Sequence, residues 1–252
     1  MIKRTELSHF LNNLLSCSKF NDYAPNGIQV EGKDQIKHIC TAVTASEEVI
    51  LEAVASQADA LLVHHGYFWR GEDPVITGMK RQRISKLLNH NINLFAYHLP
   101  LDCHPELGNN ACLANLLLLD TVQMHKAGGT ENLLWSGMLP QSMMGEQFSE
   151  FIEGILGRKP LHIDGANKPV RSVALCTGGA QDYIENAYQL GVDAYISGEV
   201  SERTYYQAKE LGIHYYACGH HATERYGIQA LGAYLANYFG LTHQFIDSDN
   251  PV

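Results

Sequence analysis

Ala60-Leu61-Leu62-Val63-His64-His65-Gly66 decides how this chain folds. Four apolar residues in succession, closed by two histidines and a glycine, read as a strand buried on both faces that turns out of its sheet at its C-terminal end. Upstream, Ile36 to Val43 reads as the preceding strand, and Ser46 as the cap of a helix with Val49, Ile50, Ala53 and Val54 turned inward. Downstream, a helix over roughly Lys80 to Asn89 leads to a strand from Ile92 to His98. Ahead of all these, Thr5 is placed to cap a helix carrying Leu7, Phe10, Leu11, Leu14 and Leu15 at helical spacing, and Asp22-Tyr23-Ala24-Pro25-Asn26-Gly27 reads as a turn. Helices alternating with short apolar strands define an α/β fold with mostly parallel or mixed sheets.

The plan recurs in the second half. With Val43-Thr44-Ala45-Ser46 laid over Thr177-Gly178-Gly179-Ala180, Asp59-Ala60 falls on Asp193-Ala194 and His64-His65 on Gly198-Glu199. Further on, Asn91 to Ala96 resembles Gly212 to Ala217, and one inserted residue brings His98 and Asp102 onto His220 and Glu224. We therefore expect two related α/β domains: residues 1–125, completed by 219–252, and residues 126–218, with a metal site in the cleft between them. Roughly Thr121 to Pro140, with Gly128-Gly129, reads as irregular chain at the boundary. Gln147 to Leu156 and Glu224 to Phe239 read as helices.

Composition narrows the function. A net charge of −9, from 27 acidic and 18 basic residues, argues against generic capture of a nucleic-acid backbone. The short basic run Met79 to Arg83 reads as a solvated helix face. The 6 cysteines form no Cys-x-x-Cys pair and suit a reducing compartment as small core residues. Met1-Ile2-Lys3-Arg4 opens no signal peptide, and no apolar run is long enough for a bilayer, so the expected location is cytoplasmic, with no membrane partner.

The chemistry gathers at strand ends. Neutral imidazole and carboxylate bind Zn, Fe or Mn, and a catalytic site keeps a position open for water. His64 and His65, adjacent at a strand end, either converge on one ion as the backbone turns or serve different ions. In His98-Leu99-Pro100-Leu101-Asp102, Pro100 argues against a regular helix, which makes Asp102 a loop carboxylate: a ligand, or an Asx turn or cap. His104 ranks below His98. In Gly219-His220-His221-Ala222-Thr223-Glu224, Thr223 is expected to cap a helix and to put Glu224 in its first turn, where the helix dipole also favours a carboxylate; His221 stands behind His220. Cys176-Thr177-Gly178-Gly179-Ala180 is a glycine turn whose backbone N–H groups could seat a phosphate, or which merely lets strand and helix approach closely.

Taken together, Asn26-Gly27 with Gln29-Val30, Val63 to Gly66, His98 to Asp102, Gly108-Asn109-Asn110 and Gly219 to Glu224 resemble the Nif-three-like dinuclear-metal family, often labelled GTP cyclohydrolase I type 2 homologues, over nearly the whole chain and most closely its short bacterial members. The resemblance implies a ring-shaped homohexamer of two-domain subunits. It implies two divalent ions held at positions matching His64, His65, Asp102, His220 and Glu224, with Glu224 close to both and His98 a ligand or proton carrier. Where many relatives carry a histidine shortly after the pair matching Gly198-Glu199, this chain has Arg203.

The expected function is a dinuclear metal-dependent hydrolase, with a nucleotide such as GTP as candidate substrate. Metal-bound hydroxide would open the ring, His98 or Glu199 would move the proton, and Gly178-Gly179 would seat a phosphate. Two rival readings are a di-iron oxidase or peroxide-consuming enzyme, and a non-enzymatic ring in which metals staple a binding scaffold.

Overall fold

The computed structural model describes residues 1–252 and divides them into two compact units, Met1–Gly108 with Gly227–Asp249, and Asn109–Tyr226 with Asn250–Val252. These divisions fall at Gly108 and Tyr226, where the sequence pattern suggests 125 and 218.

In the first unit, helix α1 (Arg4–Leu14) buries Leu7 and Leu11. It starts one residue ahead of Thr5, with the Lys3 N–H held by Glu6 Oε2 at 3.4 Å, so Thr5 is not its cap. There follow β1 (Gly27–Val30), β2 (His38–Thr44), α2 (Glu47–Ala55), β3 (Ala60–His65), α3 (Gly78–Asn89) and β4 (Asn93–Ala96). Ser46 does cap α2, its hydroxyl accepting from Val49 N at 3.2 Å. β3 lies between β2 and β4, parallel to both, and β1 closes the β4 edge antiparallel. Leu61 and Val63 join one apolar cluster, with Val49, Ile50 and Leu94; Ala60 and Leu62 join another, with Leu7, Leu11 and Phe95. A centrally placed parallel strand packed on both faces accounts for the unbroken apolar run, and each fully buried leucine is worth roughly 1.5–3 kcal/mol.

Pro100 does not keep its segment out of a helix. Leu99–Asp102 forms a short helix, α4, with Pro100 in its first turn. There the missing N–H costs nothing, because first-turn amides have no partner within the helix. Asp102 therefore stands on a helical turn and not in a loop.

The second unit opens with α5 (Asn109–Leu116), then β5 (Asp120–Ala127) and β6 (Thr130–Met143). The stretch expected to be irregular is this antiparallel hairpin, turning on Gly128 (φ +55°) and Gly129 (φ +82°). α6 (Gly145–Leu156), β7 (Leu161–Ile163), β8 (Val170–Cys176), α7 (Ile184–Gln189), β9 (Ala194–Ser197), α8 (Glu202–Leu211) and β10 (His214–Ala217) follow. β8, β9 and β10 run parallel, β6 and β5 extend the sheet beyond β8, and β7 closes it beyond β10.

The chain returns to the first unit inside α9 (His220–Phe239) and ends its sheet with β11 (Thr242–Phe245), parallel to β2. α9 begins at His220, so Thr223 is not its cap: the Thr223 hydroxyl donates back to the Gly219 carbonyl at 2.9 Å, and Glu224 falls in the second turn. No helix is long and apolar enough to cross a membrane.

Candidate metal centre

In the first unit the C-terminal ends of β3 and β4 place three imidazoles and a carboxylate together. His64 and His65 converge, with ring centroids 4.5 Å apart. The chain can leave β3 there only through glycine, since a Cβ on Gly66 would lie 2.2 Å from Gln29 Oε1 and 2.7 Å from Ala96 Cβ. Ring nitrogens of His64, His65 and His98 all fall within 4.8 Å of one another. His64 is wholly buried, and its Nδ1–H donates to the Tyr97 carbonyl at 2.9 Å. A neutral ring with that contact would carry its lone pair on Nε2, which faces Asp102 Oδ1 at 3.5 Å. A lone pair facing a buried carboxylate is the donor set a cation satisfies, and the residues fit a divalent ion.

His98 is fixed more tightly. Its Nδ1 donates to Asp22 Oδ1 at 2.9 Å, and its backbone N–H donates to Asn26 Oδ1 at 2.7 Å. Burial alone would push the Asp22 carboxyl up, but the hydrogen bond and charge of His98, with Asn26 Nδ2 and Leu99 N, bring its pKa down to about 2. Tyr23 and Trp69 pack edge-on to the His98 ring at 4.9 and 5.1 Å.

The second unit brings His220, Glu199 and Glu224 to the ends of β9 and β10. His220 Nδ1 is 2.7 Å from Glu199 Oε1, and its Nε2 is 3.2 Å from Glu224 Oε2. Burial disfavours a charged His220, yet Glu224 and Glu199 outweigh it and raise its pKa to about 9. The ring is thus an imidazolium at neutral pH, and a metal bound there would have to displace its proton. Glu224 is 2% exposed, and a carboxylate so buried also suits a cation. His220 and Glu224 are the residues of this unit that would hold a metal.

Gly178 and Gly179 serve these acids. A Cβ on Gly178 (φ +71°) would lie 2.2 Å from Glu224 Oε1, and one on Gly179 would lie 3.4 Å from the Glu199 carboxylate. The Gly178 N–H donates to Thr223 Oγ1 at 3.1 Å. Both glycines thus leave room for acid side chains, and the Gly178 amide is already engaged.

Other candidates lie aside. His104 Nδ1 accepts from the Glu106 and Leu107 amides. The His221 N–H donates to the Val252 carbonyl, and Arg203 pairs with Asp182. Burial pushes the Cys103 thiol far up, away from the thiolate a metal requires. Sequence reasoning missed Asp22 altogether: nothing in a turn-like segment indicates a partner 76 residues away.

The class defined by these features is a protein of two α/β units with imidazole–carboxylate clusters at the C-terminal ends of parallel strands. The chain belongs to the Duf34/NIF3 (NGG1p interacting factor 3) family, whose model matches residues 2–251. It is 53% identical over 248 residues to the GTP cyclohydrolase 1 type 2 homolog of Haemophilus influenzae, covering 98% of each chain. The protein of that name from Yersinia pestis is 52% identical over 252 residues, with 100% of both covered. Among solved structures, the structural-genomics protein ybgI, described as of unknown function, superposes with a TM-score of 0.95 at 51% identity. TTHA1606 from Thermus thermophilus does so with 0.91 at 32% identity; both alignments cover 100% of each chain.

Proposed function

We propose that this protein is a dinuclear metal-dependent hydrolase acting on a nucleotide, with the ions held by His64, His65 and Asp102 of the first unit and His220 and Glu224 of the second. One observation carries the reading: imidazole and buried-carboxylate side chains lie together in both units where open α/β sheets bind ligands, at the carboxyl ends of their parallel strands. The relatives' shared description as GTP cyclohydrolase 1 type 2 homologs supports a purine nucleotide as the substrate class. Two divalent ions would supply Lewis acidity and a water of lowered pKa.

The chain's own groups divide the remaining work. Asp102 holds negative charge against His64 Nε2, keeping a cation favoured there. His98, with Nδ1 donated to Asp22, offers Nε2 to accept and return a proton. Glu199 takes the proton of His220 Nδ1 as hydrogen-bond acceptor and orients that ring. Tyr23 and Trp69 shield His98 from water on its flanks.

The proposal extends to a ring-shaped homohexamer. Val122 and Met124, 39% and 44% exposed on the edge strand β5, give apolar surface for neighbouring copies to cover. Native mass spectrometry should give six times the chain mass; a monomer at micromolar concentration overturns this part.

The test of activity uses protein loaded separately with Zn2+, Mn2+ or Fe2+, assayed against GTP by purine absorbance and against a panel of phosphoesters. Turnover that disappears in both His65→Ala and Glu224→Ala supports the reading. Turnover surviving in both variants, or none from fully loaded protein, refutes it.

A further inference from the structure

We infer that Asp22 is a positioning residue that acts through His98, fixing which ring nitrogen carries the proton and where the other one points. The kinetic consequence rests on the hydrolase reading above; the geometry does not. Asp22 lies in a segment without regular structure, yet its side chain is 3% exposed. Oδ1 accepts from Tyr23 N at 2.7 Å, Ala24 N at 3.2 Å and His98 Nδ1 at 2.9 Å. Oδ2 accepts from Asn26 Nδ2 at 2.9 Å and Leu99 N at 3.0 Å. Asn26, oriented by that contact, holds the His98 backbone through Oδ1. One short turn thus grips both the ring of His98 and the peptide on either side of it.

The side-chain type matters as much as the contact. A carboxylate at this pKa only accepts, so the nitrogen facing it must be N–H and the lone pair must sit on Nε2. An amide could present either its oxygen or its NH2, and the second choice would reverse the tautomer. Tyr23, itself held by Asp22, and Trp69 also oppose rotation of the ring, at interplanar angles of 73° and 82°. Arg70 ties these two flanks together, its N–H donating to the Tyr23 carbonyl at 2.7 Å and its guanidinium to the Asp22 carbonyl at 2.9 Å. Tautomer and direction are therefore both fixed, as a group that exchanges a proton at one atom requires.

The experiment compares Asp22→Asn, His98→Ala and the double variant with the parent chain. Asp22→Asn keeps the shape and leaves Oδ1 able to accept, and circular dichroism confirms its fold. Long-range proton–nitrogen correlation spectra of the 15N-histidine-labelled, metal-free protein read the His98 tautomer directly. The parent should show one tautomer, Nδ1–H, and Asp22→Asn a mixture or the reverse. In the Mn2+-loaded protein, Asp22→Asn should lower kcat on GTP about 10-fold to 100-fold with KM little changed, as removal of a partner that orients a functional imidazole does. In the His98→Ala background the same change should add nothing. An unchanged tautomer in Asp22→Asn, or an undiminished kinetic effect without His98, overturns the inference. A parent enzyme that turns over no GTP removes the hydrolase reading, while the tautomer measurement still decides the role of Asp22.

Discussion

The two units run the same three parallel strands but finish the middle one differently. In the first, Ala60 pairs with Ile39 on one side and Asn93 on the other; in the second, Ala194 pairs with Val173 and His214. Just before each middle strand a carboxylate clamps the start of its neighbour: Asp59 Oδ2 accepts from the Lys37 and His38 amides, Asp193 Oδ2 from those of Arg171 and Ser172. Past the third strand each unit carries a histidine with a carboxylate four residues on, His98 with Asp102 and His220 with Glu224. The difference lies at the end of the middle strand, where one unit has His64-His65 and the other Gly198-Glu199. Glu199 supplies to His220 Nδ1 what a remote turn must supply to His98: a carboxylate acceptor, at 2.7 Å against 2.9 Å from Asp22. Duplicated scaffolding thus yields a half with two histidines at the end of its middle strand and a half that carries its own orienting acid.

The harshest challenge to this equivalence removes the matched carboxylates. Asp102→Ala and Glu224→Ala should each lower turnover on the order of a thousandfold, the several kcal/mol of charge stabilisation that a metal ion supplies. Elemental analysis should find less than the full complement of metal in both. A loss confined to one variant would show that the halves are not functionally paired.

The orienting acids come next. Glu199→Gln and Asp22→Asn should each cost about 10-fold to 100-fold in activity, with the smaller loss at Glu199. That ranking follows from exposure, 38% for the Glu199 side chain against 3% for Asp22, because solvent replaces part of what Glu199 provides. The reverse order in steady-state kinetics would contradict it. Protonation separates the halves further. With its pKa raised to about 9, His220 is protonated in the metal-free protein at neutral pH, and an incoming ion must displace that proton. Zn2+ affinity should therefore climb about tenfold per pH unit up to about pH 9, with close to one proton released at this ring. Calorimetry in buffers of different ionisation enthalpy counts the protons, and no release near neutral pH would refute the displacement.

Much of this was legible in the residues because periodicity and chemistry coincided. The apolar run to His65 had to be a buried strand, and histidines at its end had to meet whatever the neighbouring strand ends carried. Ser46 announced its helix by local chemistry alone. The hairpin Asp120–Met143 hid because β5 is exposed along nearly its whole length until its final alanine, leaving no alternation to detect. Pro100 misled because a proline forbids a helix interior but suits a first turn. The turn at Gly178 did not reveal what stands against it, because the Glu224 carboxylate lies 46 residues away along the chain. Local rules picked out the histidines and acids that the structure brings together, whereas Asp22, 76 residues from His98, was invisible to them.

The mildest test concerns the paired clamps. Burial raises the carboxyl pKa of both Asp59 and Asp193. For Asp59, Lys33 and the Lys37 and His38 amides outweigh it; for Asp193, the Ser172 amide and hydroxyl, the Arg171 amide and Lys168 do so, and both end below the ordinary value. Asp59→Ala and Asp193→Ala each orphan two backbone amides, and should each cost about 1–3 kcal/mol in urea denaturation, the low end applying where water reaches the freed amides. A depressed carboxyl stabilises the fold above its unfolded pKa and loses that contribution as pH falls through the folded value. The gap between parent and variant should therefore stay flat from about pH 8 to about pH 5 and close below about pH 4. Matching losses and matching pH curves would mark the clamps as one device used twice; a gap that widened in acid would mean the depressed pKa values arise from something other than these hydrogen bonds.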